Sequence, residues 1–128
     1  MSFETRQIAG APDAMAPDGS EVRLLCGTER GSMAHFSLPA GAVSHAVAHR
    51  TVEEVWFFLA GRGRMWRRLG DCEQTVAVGP GTSITIPVGT HFQFRCDGEA
   101  ALAAVGVTMP PWSDGEAYPV QGPWEPTT

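Results

Sequence analysis

Two histidines and a pair of adjacent glutamates lie in one short stretch of the chain, residues 41–61. Side chains alternate between the two faces of a β-strand, so His45, Val47 and His49 would share one face if this stretch is extended. If that face looks into a barrel, two imidazoles enter the interior. Imidazole groups ligate metals and exchange protons near neutral pH, and either chemistry would fit such a position.

The two glutamates come immediately before an apolar run. Glu53 and Glu54 precede Val55, and large apolar residues continue to Leu59. Only one of two neighbouring side chains on a strand can share the inward face. A carboxylate and an imidazole on neighbouring strands would then meet inside a barrel, where they could hold a metal or trade a proton.

The elements that must position these groups are short strands. Apolar runs with strand periodicity, separated by glycine and proline turns, recur along the chain, and no helical period competes with them. They cover residues 21–26, 32–38, 53–59, 64–68, 73–78, 83–86, 91–96 and 101–109. With the histidine strand this makes about nine strands, which predicts an all-β, single-domain jelly-roll barrel. The run 55–59 is apolar on both faces, so we expect it to be covered on two sides, the outer one by a second copy in a homodimer.

The two ends of the chain differ from the middle. Residues 1–20 contain an alternating piece at 3–8, which predicts an edge strand, followed by a loop rich in proline and aspartate. Residues 21–109 form the predicted barrel. Residues 110–128 are rich in proline and tryptophan, and we call them the C-terminal strap. Its aromatic residues would be costly to leave in water, so we expect it to pack across the outside or the mouth of the barrel.

The stretch 41–61 resembles the first motif of the cupin family, in which a glycine is followed by two histidines one residue apart, a glutamate and a closing glycine. Gly41, His49, Glu54 and Gly61 fit this frame, and Val47 stands where the family has its first histidine.

A second cupin motif lies later in the chain, over residues 81–96. Gly81, Pro87 and Gly89 fit it, whereas Phe92 stands in place of its histidine and Cys96 in place of its asparagine. The resemblance covers roughly residues 22–109 and implies a small single-domain cupin, a jelly-roll double-stranded β-helix, with degenerate metal-binding motifs.

The resemblance also implies a divalent transition metal held by three histidines and a glutamate. His49 and Glu54 remain in frame. His91 is one residue early and would need a bulge near Thr90 to turn inward. His45 lies roughly 13 Å along the strand from His49, too far to share one ion without a bulge. The expected cofactor is therefore none, or a single transition metal held by His49, Glu54 and His91.

Without a metal, the barrel interior would still form a pocket. His49 and Glu54 would then act as general acid and base, the predicted catalytic pair. The predicted ligand-binding residues around them are His45, Val47, Trp66, Phe92, Gln93 and Phe94.

These observations favour a protein that binds a small polar metabolite, with isomerisation or other metal-free proton transfer as its chemistry. One alternative is a metal-dependent oxygenase or an enzyme like the sugar isomerases. The other is a non-catalytic ligand-binding or sensory module, because one fold supports many functions.

Composition and charge limit the classes of partner and the location that we expect for this protein. The net charge is −5, and all nine basic residues are arginine. Only the cluster 62–68 is locally basic, so nucleic acid is not an expected partner. No apolar leader and no run of about 20 apolar residues is present, which predicts a cytoplasmic protein without a membrane partner. Cys26, Cys72 and Cys96 have no paired spacing and are expected to be structural thiols.

Overall fold

The chain folds into two antiparallel β-sheets. The structure is a computed structural model and describes residues 2–128. Its strands are β1 (Ala14–Met15), β2 (Glu21–Gly27), β3 (Ser32–Leu38), β4 (Val47–His49), β5 (Glu53–Ala60), β6 (Gly63–Leu69), β7 (Cys72–Val78), β8 (Ser83–Ile86), β9 (His91–Cys96), β10 (Leu102–Met109) and β11 (Ala117–Pro119). The first sheet has the order β1-β2-β3-β10-β5-β8, and the second has the order β11-β4-β9-β6-β7. The predicted all-β jelly-roll barrel is confirmed.

Strand β5 shows how the barrel sorts its side chains. Glu54, Trp56 and Phe58 point inward and are buried, whereas Val55 and Phe57 point outward and are 42% and 46% exposed. The expectation that β5 is covered on both sides is therefore not met within the single chain. The inward face faces the second sheet across what we call the lumen, the space between the two sheets.

The core fills one end of the lumen. Phe58, Met65, Phe94 and Leu102 are each at most 2% exposed and belong to one packed cluster. Burying side chains of this size contributes roughly 1.5–3 kcal/mol each. This end of the barrel is solid, so any cavity must lie toward the other end.

A stacked pair of aromatic rings marks the boundary between core and cavity. The rings of Phe36 and Trp56 lie 4.8 Å apart and nearly parallel. They pack over Gly106 of β10, where an added Cβ would come within 2.7 Å of the Trp56 ring. The bare backbone at this position makes room for the indole.

The chain ends pack against the barrel. Residues 3–8 form no strand and are exposed, so the predicted edge strand there is wrong; β1 supplies the edge instead and pairs with β2. In the strap, β11 pairs with β4. Thr127 continues the attachment by donating from its backbone N–H to the Val43 carbonyl at 2.9 Å. Residues 2–128 include no helix that would span a bilayer.

Candidate functional site

A cavity of about 480 Å³ opens at one end of the lumen. This volume is typical of sites for small molecules. Residues from both sheets, from the N-terminal segment and from the strap surround it. They are Ala14, Met15, Ala16, Pro17, Asp18, Val22, Leu24, Phe36, Val47, His49, Glu54, Trp56, Phe92, Thr108, Trp112, Asp114, Gly115 and Ala117.

His49 and Glu54 lie side by side in the wall of this cavity. His49 ends β4 and Glu54 is the second residue of β5, so the short connection between the two strands brings them together. Their Nδ1 and Oε2 atoms are 3.7 Å apart, which is too long for a hydrogen bond. Glu54 Oε2 instead accepts a hydrogen bond of 3.3 Å from Trp56 Nε1. Within residues 2–128, the buried His49 Nδ1 has no hydrogen-bond partner.

Burial keeps both members of this pair uncharged near neutral pH. Desolvation raises the pKa of Glu54 to about 8; the Trp56 hydrogen bond opposes this and the nearby Asp18 carboxyl adds to it. Desolvation also lowers the pKa of His49 to about 4, against the attraction of Glu116. Burying an ionisable group disfavours its charged form, which raises the pKa of the acid and lowers the pKa of the base. The pair is therefore a carboxylic acid beside a neutral imidazole, and not a salt bridge.

The turn between His49 and Glu54 is braced from the strap. The Glu116 carboxylate accepts hydrogen bonds from the Val52 N–H at 2.7 Å, from the Thr51 hydroxyl at 2.9 Å and from the Thr51 N–H. Burial by itself would raise the pKa of Glu116, but these donors outweigh burial and lower it. Charge-assisted hydrogen bonds of this kind are strong. Glu116 thus fixes the connection that sets the spacing of the pair.

Trp112 of the strap covers the pair from outside. Its ring meets the His49 ring edge-on, with centroids 5.2 Å apart. Its backbone N–H donates to Ser32 Oγ at 3.0 Å, and that hydroxyl shares a 2.6 Å hydrogen bond with Thr108 Oγ1. The strap therefore contributes both a cover and a brace to the site.

Sequence reasoning missed the contributions of the chain ends. Asp18, Trp112 and Glu116 come to the site only through the tertiary fold, and no periodicity marks them. The one available signal was the aromatic content of the strap, which favoured packing against the barrel.

The structure brings some of the predicted ligand-binding residues to the cavity. Val47 and Phe92 line it, as expected from the frame of the two motifs. Phe94 also points inward, but it lies behind the cavity in the core, 5.3 Å from the Trp56 ring. Phe94 is therefore not among the residues that line the cavity, because the packed core reaches that level of the lumen.

Two other predicted ligand-binding residues point away from the lumen. Trp66 and Gln93 are paired across β6 and β9 and face the outside of the sheet. Trp66 Nε1 donates to Glu73 at 2.8 Å, and Gln93 Nε2 donates to the Ser44 and Trp124 carbonyls. Both are buried, but as attachments of neighbouring segments.

The remaining histidines do not join His49. His45 precedes β4, is exposed and lines a separate groove beneath the strap. His91 follows Thr90 on the outer face of β9, with Nδ1 3.4 Å from Arg68. No bulge turns it inward, so the predicted ligand set of His49, Glu54 and His91 is not assembled.

The residues at this site do not fit the metal that the resemblance implies. Among residues 2–128, no group of three or more histidine, cysteine, aspartate or glutamate side chains could hold a metal ion. Val47 and Phe92 fill the two remaining positions with apolar groups, and a catalytic zinc site normally needs three protein ligands.

Comparison with known proteins gives a family and a fold. The family model described as a cupin domain matches residues 34–108, more than half of the chain. No curated protein matches the sequence.

Several solved structures are similar in fold. A protein of Bacillus halodurans has a TM-score of 0.66 and 21% identity, with 74% of each chain covered. Oxalate decarboxylase from Bacillus subtilis has a TM-score of 0.71 and 14% identity; 83% of this chain covers 29% of that one. A variant of Streptomyces PAC13 solved with uridine has a TM-score of 0.73 and 10% identity, with 94% of this chain and 92% of that chain covered. At these identities the likeness concerns the fold alone.

The matched region runs from β3 to β10 and contains the histidine and the glutamate that the cupin frame keeps. This protein belongs to the cupin family.

Proposed function

We propose that this cupin binds a small polar metabolite in the lumen and moves a proton on it without a metal. Glu54 donates the proton and His49 accepts one. The observation that carries the proposal is the pair itself. An acid and a base, both buried and both uncharged, lie 3.7 Å apart at the wall of a cavity, and His49 Nδ1 has no partner within the described chain.

The protonation states suit an exchange of protons between two positions on a ligand. Glu54, with a pKa of about 8, keeps its proton at neutral pH and can give it to a carbonyl oxygen. Neutral His49 can take a proton from the carbon next to that carbonyl. His49 then gives its proton to the former carbonyl carbon, while Glu54 takes the proton of a hydroxyl group on the neighbouring carbon. The carbonyl group has then moved by one carbon, and both side chains are back in their starting states. After the first step an imidazolium lies beside a carboxylate, and these opposite charges stabilise each other.

Similarity in fold supports a metabolite as the occupant. The Streptomyces protein was solved with uridine, a small polar molecule. The cavity described here, at about 480 Å³, is large enough for a molecule of this size.

The test is proton exchange with solvent. The protein is incubated in heavy water with a panel of small hydroxy-carbonyl compounds, and deuterium incorporation next to the carbonyl is followed by NMR. We expect at least one compound to exchange, with a rate that falls about 100-fold or more in Glu54→Gln and in His49→Ala. A neutral acid and a neutral base also predict an optimum between about pH 4 and 8, taken as values of the coupled pair.

The chain supplies a matched control for each variant. Glu53 is adjacent to Glu54 but exposed, so Glu53→Gln should leave exchange unchanged. His91→Ala is the control for His49→Ala and should also leave exchange unchanged. Exchange that survives Glu54→Gln would contradict the assigned donor. Ligand binding without exchange of any compound would instead favour a non-catalytic binding module.

Metal content per chain tests the alternative of a metal-dependent oxygenase or isomerase. Mass spectrometry on protein purified without chelator and without a histidine tag gives this number directly. About one transition metal per chain would contradict the metal-free proposal.

The homodimer stays a prediction, and the outer face of β5 is where it would form. Val55, Phe57 and Leu59 are 42%, 46% and 46% exposed on one face of that strand. Sedimentation velocity tests it: Phe57→Glu should shift a dimer to monomer, whereas a wild-type monomer at all concentrations would contradict it.

A further inference from the structure

The cavity lining contains carboxyl groups but no cationic side chain. Asp18, Glu54 and Asp114 line it with carboxyl groups, and no arginine of residues 2–128 is among the lining residues. The sequence contains no lysine, and its nine basic residues are all arginine. His49 is the remaining ionisable group in the lining, and burial keeps it neutral at pH 7. A ligand in this cavity meets no cation.

Two arginines lie beside lining residues in the chain or in the sheet, Arg50 after His49 and Arg67 opposite Phe92, and both are engaged elsewhere. Arg50 donates from Nε to the Gly115 carbonyl at 3.1 Å, and its guanidinium lies over the Tyr118 ring at 4.9 Å. Arg67 donates to the Thr85 carbonyl at 2.8 Å. Neither side chain lines the cavity, so neither is placed to receive an anionic group.

An anion would therefore be unfavourable in this site. It would lose its hydration and gain no opposite charge from the side chains that line the cavity. Sites that recognise phosphate or carboxylate groups in proteins place arginine, or another cation, in direct contact. An uncharged ligand avoids this penalty.

The rest of the lining defines the shape and the polar end of such a ligand. Trp56, Phe92 and Trp112 give the cavity aromatic walls, which pack well against a flat or apolar body. At the same wall, His49 Nδ1 has no partner and Glu54 carries a proton to donate. One acceptor beside one donor matches a hydroxyl or carbonyl group.

We propose that the lumen selects an uncharged ligand with a flat or apolar body and a hydroxyl or carbonyl group at one end, and discriminates against phosphorylated and carboxylated forms of the same body. This inference rests on the proposed function, since it names the class of molecule on which the His49 and Glu54 pair acts.

The test uses matched probes that differ in charge. The pairs are thymidine and its 5′-monophosphate, dihydroxyacetone and its phosphate, and benzyl alcohol and benzoate. Binding is followed by NMR of labelled histidine rings, with His49 as the reporter in the cavity and His91 on the outer face as the internal control. We expect neutral probes to shift the His49 signals and not those of His91, and each anion to bind roughly tenfold more weakly or worse.

The variant Asp114→Arg places a cation at the exposed rim of the cavity. It should strengthen binding of the anionic member of each pair relative to the neutral one. An equal effect on both members would contradict charge as the cause of the selection.

The outcomes separate this inference from the proposed function. If an anionic probe binds more tightly than its neutral partner and shifts His49, the site binds ligands but the charge inference fails. If no probe of any pair shifts His49, the lumen does not bind small molecules of this kind, and the proposed function fails together with the inference.

Discussion

Two tryptophans of the strap contact two polar clusters, of which one is neutral and the other is ionised. Trp112 meets the ring of His49 at the cavity. Trp124 lies beneath two guanidinium groups on the outside of the barrel, with Arg64 at 5.6 Å and Arg95 at 5.4 Å from its ring centre. Each cluster contains an acid and a base in contact with an indole, and the two clusters differ in the base that they contain and in their access to water.

The difference lies in access to water. On the outside, Arg64 Nε and Asp97 Oδ2 are 2.7 Å apart, and this hydrogen bond, against a small effect of burial, lowers the pKa of Asp97. In the lumen, His49 and Glu54 are 3.7 Å apart and burial pushes both toward their neutral forms. Hydrogen bonds from guanidinium groups at the surface keep Asp97 ionised, whereas exclusion of water neutralises His49 and Glu54. The state of the acid and the base follows from the surroundings and not from the residue types alone.

The largest expected effect comes from removing the wall behind the buried pair. Trp56 is 2% exposed, stacks on Phe36 and donates to Glu54. Trp56→Ala should lower the free energy of unfolding by about 3–5 kcal/mol, because it leaves a cavity in the core. Chemical denaturation measures this. Trp124→Ala is the matched change at the surface cluster and should be much milder; equal losses would contradict the contrast between the two regions.

The next effect is a dependence of stability on pH. The pKa of Glu54 is raised in the folded state, so its contribution is present below about pH 4.5 and is lost as the pH rises toward about 8. The pKa of His49 is lowered, so its contribution is present above about pH 6.5 and is lost as the pH falls toward about 4. Between about pH 4.5 and 6.5 the two trends oppose each other.

Above pH 6.5 the His49 trend no longer opposes that of Glu54, and Asp18, whose pKa burial also raises, acts in the same direction as Glu54. We expect the free energy of unfolding to fall by on the order of 2 kcal/mol between pH 6.5 and 8. Denaturation curves across this range measure it. Glu54→Gln should remove most of the fall, whereas Glu53→Gln should keep it. A flat wild-type profile would mean that Glu54 is already ionised.

Removing the cover tests how much of the neutral state depends on the strap. Trp112→Ala should admit water to the His49 ring and raise its pKa by about one unit toward the ordinary value. An NMR titration of the ring signals measures this. Trp124→Ala should leave the His49 pKa unchanged. A shift of the same size in both variants would point to general loosening of the strap.

The smallest effect is expected at the surface cluster. Asp97→Asn removes the charge that pairs with Arg64 and Arg95. Exposed ion pairs contribute little, and salt screens them. We expect a slight drop in melting temperature that shrinks further at high salt. A loss comparable with that of Trp56→Ala would show that this cluster, too, is effectively shielded from water.

The sequence was sufficient to predict the fold because strand periodicity and turn residues recur along the whole chain. Strands β3, β8 and β9 have the predicted bounds, and the alternation within β5 correctly predicts one inward glutamate. The edge strand was misplaced because residues 3–8 alternate but have no strand to pair with, whereas the unremarkable Ala14–Met15 lies beside β2. Pairing is a property of two segments, and one segment does not reveal it.

The site was only partly predictable for a related reason. The resemblance to the first cupin motif selected His49 and Glu54, and the structure places their side chains next to each other. Trp66 and Gln93 were assigned to the pocket without a reliable facing, and they point outward. Glu116 was overlooked, although it braces the turn between the pair, because its contacts lie more than 60 residues away along the chain.

The width of the cavity depends on Gly106, which lies beneath the stacked rings and has no side chain to displace them. An added Cβ there would also come within 2.9 Å of the Trp56 nitrogen that donates to Glu54. Replacement by alanine would push the indole toward the open space and draw its N–H away from the carboxyl group. The size of molecule admitted and the acidity of the group that meets it would then change together, so this one backbone position couples selectivity to reactivity.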